Sequence, residues 1–197
     1  MRSKKEITCI IVDDKEDALD RMGRLLQYFE NIKIVSKETN SEKAIKKIVE
    51  RYPEIVFLDI EIDNKNGFDI VREVRKQNIF PTFIFVTGYN QYAIKAIKNA
   101  AFDYLVKPVD IDELKETIKR FTEKENERFN RELPVKLKKE YGLTDREVEI
   151  TLLIIEGKTS AEIAEKLIIS KFTVDTHRKN ILRKTGARNF KELINLI

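Results

Sequence analysis

The sequence contains no apolar run approaching the ~20 residues that a bilayer-spanning helix needs, so no membrane span is expected. Nor is a leader expected. Basic residues Arg2, Lys4 and Lys5 precede an apolar stretch of only Ile7 to Val12, and Asp13 and Asp14 end it. There is one cysteine, Cys9, which excludes an internal disulfide. Its place inside the apolar stretch predicts a buried, inert thiol in a cytoplasmic protein. There is one histidine, His177, too few for a histidine-built metal or catalytic centre, and it is expected to pack as a core imidazole. Charge excess is scarce as well, at net +4, but it is unevenly placed. Residues 1–134 hold 25 Lys/Arg against 25 Asp/Glu, and residues 135–197 hold 13 against 9. A basic small segment beside a neutral larger one points to a polyanionic partner for the small one.

Five short runs rich in β-branched and aromatic residues occupy the first hundred or so positions: Ile7–Val12, Ile32–Val35, Ile55–Leu58, Thr82–Val86 and Phe102–Val106. Between and after them lie stripes at helical spacing. These are Leu19, Met22, Leu26 and Phe29; Ala44, Ile45, Ile48 and Val49; Ile94, Ile97 and Ala101; and Leu114, Ile118 and Phe121. Strict β–α alternation predicts a five-stranded parallel sheet covered by helices on both faces, with any ligand site beyond the carboxyl ends of the strands. From about Glu123 to Glu140 the periodicity is lost in a charge run, and Pro134 should stop any helix entering it. A frayed extension of the last helix and a linker over 124–140 are therefore expected.

Four short helices are expected after it. Thr144-Asp145-Arg146-Glu147 reads as a capping box. A second helix opens near Ser160, a third near Thr173 that ends at Gly186, and a fourth follows Asn189. Such an arrangement contains a helix-turn-helix. In the third segment Val174, His177 and Ile181 fall on an inward face, while Asp175, Thr176, Arg178, Lys179 and Arg183 face outward, as major-groove reading requires.

Asp13 and Asp14 follow the first strand and Asp59 follows the third. Neighbouring parallel strands bring these three carboxylates together, and their mutual repulsion calls for a cation. A hard, oxygen-seeking ion such as Mg²⁺ suits them. Thr87-Gly88 ends the fourth strand and Lys107-Pro108 the fifth. A receptive aspartate, a hydroxyl and an ammonium at one edge make a site for phosphoryl chemistry on a carboxylate.

These motifs carry a resemblance. Ile11-Val12-Asp13-Asp14, Phe57-Leu58-Asp59-Ile60, Gly67, Val86-Thr87-Gly88 and Phe102-Asp103-Tyr104-Leu105-Val106-Lys107-Pro108 resemble the receiver domain of two-component response regulators over residues 6–121. Leu143-Thr144-Asp145-Arg146-Glu147, Gly157-Lys158-Thr159-Ser160-Ala161-Glu162-Ile163-Ala164 and Thr173-Val174-Asp175-Thr176-His177-Arg178 resemble the LuxR/NarL/FixJ-type helix-turn-helix over residues 141–197. The resemblance implies a flavodoxin-like, doubly wound α/β receiver over residues 1–123 and a small all-α, four-helix DNA-binding domain over 141–197. It implies that Asp59 accepts a phosphoryl group from a sensor histidine kinase. Asp14, Asp59 and the Glu61 carbonyl would ligate Mg²⁺, with Asp13 acting through water. Lys107 would pair with the phosphoryl group, Thr87 would move to hydrogen-bond it, and Tyr104 would swing inward. Asp175, Thr176 and Lys179 would face base edges of double-stranded DNA, and Thr173, Arg178 and Arg183 would contact phosphates. The family acts as a homodimer on DNA, and RNA polymerase is a further expected partner.

Two positions depart from the family pattern. Ile62-Asp63 stands where methionine-proline is usual, and Asp175 stands where lysine is frequent. Two rival readings bear on the same residues. A phosphatase of the haloacid-dehalogenase type needs an acid two positions after its nucleophile. Asp13 and Asp14 are instead adjacent, and Asp59 has Glu61 but no cap insertion, so no enzymatic turnover is expected. The other rival is a phosphorylation-independent DNA-binding regulator that uses the receiver as a dimerisation platform.

Overall fold

The protein is described by a computed structural model covering residues 6–63, 65–88 and 101–197. It divides into two compact units, one ending at Phe121 and the other running from Thr122 to Ile197. The expected stripe at Ile94 and Ile97 lies outside the described residues.

In the first unit, β1 (Ile7–Val12), β2 (Ile32–Glu38), β3 (Ile55–Leu58), β6 (Thr82–Thr87) and β7 (Asp103–Val106) form a parallel sheet in the order β2-β1-β3-β6-β7. The order reverses direction at β1. The crevice between the carboxyl ends of β1 and β3 is thus the topological switch point, where open α/β sheets place ligands. Alternate residues of each strand supply opposite faces, as the period of two demands. Ile10, Val12, Val56, Leu58, Phe83 and Phe85 pack with α2 (Ser41–Arg51) and α3 (Gly67–Lys76). Cys9, Ile11, Phe57, Ile84, Val86 and Leu105 pack with α1 (Glu16–Leu26) and the start of α4 (Ile111–Tyr141). Cys9 is fully buried, and burial pushes its thiol up to about 12, which keeps it protonated and inert.

One element was not anticipated. Glu61–Ile62 (β4) and Lys65–Asn66 (β5) pair as a small antiparallel ladder directly after Asp59. Asp63 lies in its turn at φ 47°, a left-handed conformation that aspartate tolerates better than most residues. Asn66 then caps α3 by accepting from the Phe68 N–H.

Over 124–140, expected as a frayed helix end and linker, the helix does not stop at Pro134. α4 continues through it to Tyr141 with Pro134 inside. An interior proline costs a helix roughly 3 kcal/mol by removing one donor and crowding the preceding turn. Against that, Leu133 and Leu137 lie one turn apart and are buried in the C-terminal core, with Phe129 and Tyr141 packed on it. Burying two leucines contributes about 1.5–3 kcal/mol each, enough to offset the proline.

The remaining helices are α5 (Asp145–Ile155), α6 (Ser160–Leu167), α7 (Lys171–Thr185) and α8 (Phe190–Leu196). Thr144 with Glu147 and Thr159 with Glu162 each form a capping box, and the second of these helices opens at Ser160 as expected. Ser170 caps α7, which therefore begins two residues before the expected Thr173. The turn between α6 and α7 is a Schellman motif. The amides of Ile168 and Ile169 bond the carbonyls of Glu165 and Ala164. Ile168 adopts φ 54° to close it, a conformation rare for a β-branched residue. Val174 and Ile181 are fully buried and seat α7 on the bundle. His177, expected in the core, is only half-buried.

Candidate functional site

Asp13, Asp14 and Asp59 converge as expected, with a carboxylate oxygen of each within 4.8 Å of the others. The backbone enforces this. The Asp59 N–H donates to the Val12 carbonyl and the Asp13 N–H to the Glu38 carbonyl, continuing the ladders one residue past the strands. Asp13 and Asp59 are buried and Asp14 is exposed. Lys107 reaches both buried carboxylates, its Nζ lying 2.5 Å from Asp13 Oδ2 and 2.5 Å from Asp59 Oδ2. The Lys107 N–H donates to the Thr87 carbonyl, and the Lys107–Pro108 peptide is cis. The second oxygen of Asp59 accepts from the Ile60 N–H at 2.6 Å.

Burial raises the pKa of Asp13 above its ordinary value, although its hydrogen bond to Lys107 works against the rise. Burial pulls Lys107 downward, but hydrogen bonds to Asp13 and Asp59 overcome it and hold the ammonium above its ordinary value. Lys107 therefore stays charged across the physiological range. One ammonium against three carboxylates leaves the cluster short of positive charge. Its hard oxygen donors, one of them open to solvent, match what Mg²⁺ accepts when it retains part of its water shell.

Thr87 is fully buried on the same sheet edge. Among the described residues, its hydroxyl is the buried side-chain oxygen that lacks a hydrogen-bond partner. Tyr104, half-buried on β7, packs against the core on the same face of the sheet as Phe85. Glu61 opens β4 with its side chain exposed.

Three features escaped the sequence reading. Gly67 packs against the backbone of Asp59 and Ile60, its N–H donating to the Ile60 carbonyl at 2.7 Å, so a Cβ there would collide with the Asp59 carbonyl oxygen. Asp63 is exposed yet tied to the fold, because the Asn40 amide donates to Asp63 Oδ2 at 3.0 Å while Asn40 also caps α2. Asp103 is held to α4 by Thr117 and Arg120. Asn40 before Ser41-Glu42 was readable as a cap, but its bond to Asp63 joins residues 23 positions apart.

In the second unit, Asp175, Thr176, Lys179 and Arg183 lie on the outer side of α7. Several of the expected contact residues are engaged within the unit. The Ser170 hydroxyl bonds both the Thr173 amide and hydroxyl, and the Arg178 guanidinium stacks on the Phe190 ring, 4.4 Å from its centroid. Thr176 donates to the Phe172 carbonyl at 2.9 Å. Lys184 turns inward and pairs with buried Glu147 at 2.7 Å.

Comparison with known proteins follows the same division. A family model for the response regulator receiver domain matches residues 9–119, and one for bacterial regulatory proteins of the luxR family matches residues 142–197. An uncharacterised response regulatory protein of Shewanella oneidensis is 37% identical over 114 residues, 58% of this chain and 48% of that protein. The sensory transduction protein LytT of Bacillus subtilis is 35% identical over 112 residues, 57% of this chain and 46% of that protein. The chain thus spans about half the length of these two relatives. The uncharacterised transcriptional regulatory protein YvfU of B. subtilis is 30% identical over 189 residues, 94% of both. A crystal structure of a DNA-binding response regulator of the LuxR family from Staphylococcus aureus aligns with TM-score 0.54 at 31% identity, covering 58% of this chain and 98% of that one. The RcsB response regulator of Salmonella typhimurium shares the fold over 97% of this chain and 98% of its own, at TM-score 0.55 and 20% identity.

Proposed function

Because the chain belongs to the response regulators, with a receiver domain followed by a luxR-family DNA-binding domain, we propose that it is a phosphorylation-switched transcription factor whose phosphoacceptor is Asp59. A sensor histidine kinase would be the donor. An Asp59 carboxylate oxygen attacks the phosphorus of a phosphohistidine, an O–P bond forms as the P–N bond breaks, and the electron pair leaves with the imidazole. The observation that carries this reading is the contact of Lys107 with both Asp59 and Asp13 at 2.5 Å, beside a buried Thr87 hydroxyl that has no partner.

Each residue has a distinct task. Lys107 offsets the charge that a phosphoryl group adds and orients one of its oxygens. Asp14, Asp59 and the Glu61 carbonyl would hold Mg²⁺ directly and Asp13 through water; the ion, when bound, stabilises the equatorial oxygens of the transferring group. A buried hydroxyl left unbonded costs about 1–3 kcal/mol. A phosphoryl oxygen on Asp59 would remove that cost by accepting from Thr87, which favours the phosphorylated conformation. Tyr104, on the neighbouring strand and the same face, would follow Thr87 inward and alter the surface there. The role is binding and signalling, without turnover, in the cytoplasm; no helix among the described residues is long and apolar enough to cross a membrane.

The output is DNA affinity. Two copies on two half-sites present two α7 helices, and avidity raises affinity without new kinds of contact. Asp175, Thr176 and Lys179 would face base edges, with Thr173, Arg178 and Arg183 at the backbone and RNA polymerase as a downstream partner. The test uses acetyl phosphate and Mg²⁺ with intact-mass detection, followed by gel shift on a selected operator. The wild type should gain one phosphoryl group, form a dimer and bind more tightly with a steeper salt dependence. Asp59→Asn should gain none, and Lys179→Ala should be phosphorylated yet lose the operator. Equal affinity and salt slope with and without phosphate would instead support the phosphorylation-independent reading.

A further inference from the structure

Phe172, the second residue of α7, is 81% exposed, although it belongs to a helix whose apolar residues Val174 and Ile181 are fully buried. It lies at i relative to Asp175 (i+3), Thr176 (i+4) and Lys179 (i+7), so it is the first member of the outward stripe. The Thr176 hydroxyl donates to its carbonyl, which ties the two positions into one turn. Phe172, Asp175, Thr176, Lys179 and Leu182 line one open groove of about 530 Å³. The other aromatic of that groove, Phe190, is covered by the Arg178 guanidinium.

We propose that Phe172 is a specificity-determining residue that reads thymine through its C5-methyl group in the major groove. This rests on the DNA-binding reading above. Arg178, Lys179 and Arg188 line the same groove against one acid, Asp175, so the surroundings of Phe172 suit a polyanion. A single exposed ring in that basic groove is too small an apolar patch for a protein partner. Among the groups that duplex DNA displays in its major groove, the thymine methyl is the one apolar feature. A ring in the first turn, preceding the polar residues on its own face, meets base edges before the rest of the stripe does. The arrangement divides the task. Asp175 and Lys179 discriminate by hydrogen bonding, and Phe172 adds a preference for T over C at one position of each half-site.

The test separates this proposal from the reading beneath it. Full-length protein, treated with acetyl phosphate and Mg²⁺, selects duplexes from a random pool. Each thymine of the selected site is then replaced by uracil, which removes the methyl and keeps the base pair. At one position per half-site the wild type should lose about fourfold in affinity, the worth of one buried methyl. Phe172→Ala should bind thymine and uracil duplexes equally there, with an unchanged melting temperature because the residue is exposed. Thymine-to-uracil ratios identical in the two proteins at every position would overturn the proposal. A Phe172→Ala protein that loses affinity together with its dimer mass would overturn it too, and would make the ring a contact between copies. Failure of the wild type to enrich any duplex would overturn the DNA-binding reading itself.

Discussion

Gly67 leaves room for no side chain against Asp59. A Cβ at this first residue of α3 would overlap the Asp59 carbonyl oxygen and press on the Ile60 Cα at 3.2 Å and the Phe85 ring at 3.2 Å. The backbone of Asp59 and the start of α3 are thus packed as one piece, and the small ladder of β4 and β5 lies between them in the chain.

Gly67→Ala should therefore damage both stability and chemistry. Its two nearest obstacles are backbone atoms, which yield less easily than the end of a side chain. The overpacking penalty is about 1–3 kcal/mol. Differential scanning calorimetry should show a lower melting transition for the receiver unit, and phosphorylation by acetyl phosphate should slow because Asp59 moves with its carbonyl. An alanine variant with wild-type melting and rate would refute the contact.

Asp14→Asn should weaken Mg²⁺ binding while the fold persists, because Asp14 is the exposed member of the cluster. The attraction between a divalent ion and one carboxylate at 4 Å is roughly 2 kcal/mol even at the dielectric constant of water. Its loss corresponds to about thirtyfold in affinity. Isothermal titration with Mg²⁺ measures the difference directly, and equal affinities would remove Asp14 from the ligand set.

Glu147 sets an acid limit for the helix-turn-helix unit. Burial alone would raise its pKa, but hydrogen bonds from Lys184 and from the Thr144 amide and hydroxyl reverse this and leave it lowered. A carboxylate whose folded pKa lies below its unfolded value, roughly 4.3, stabilises the fold at higher pH. That contribution fades as pH falls through the folded value. Glu147→Gln should lower the melting temperature of this unit at pH 7, at a cost of about 1.5–3 kcal/mol for a charge-assisted hydrogen bond. The deficit should shrink as both proteins are melted at successively lower pH down to 3. A deficit independent of pH would show that the charge of Glu147 is not what matters.

The regular elements were legible because their signals are local. Apolar runs predicted all five strands of the sheet within a few residues, and the capping box at Thr144 marked a helix start by side-chain chemistry reaching only three positions. The convergence of Asp13, Asp14 and Asp59 was also readable, since parallel strands point their carboxyl ends one way. The continuation of α4 was not. Pro134 and the charge run read as a stop, and only burial of Leu133 and Leu137 against residues much later in the chain makes the helix worth forming.

What the sequence by itself determined is the order and type of most elements and the set of charged groups at the strand ends. Periodicity, capping and strand direction all act within a few residues or follow from chain order. The tertiary structure alone decided how those groups are paired and packed. It joined Lys107 to two carboxylates that lie 94 and 48 positions away, linked Asn40 to Asp63, and sealed Gly67 against Asp59. It buried the Thr87 hydroxyl without a partner and left Phe172 exposed on a helix whose other face is core. These outcomes depend on which distant surfaces meet, because burial and desolvation are properties of the packed molecule that no local stretch of residues carries.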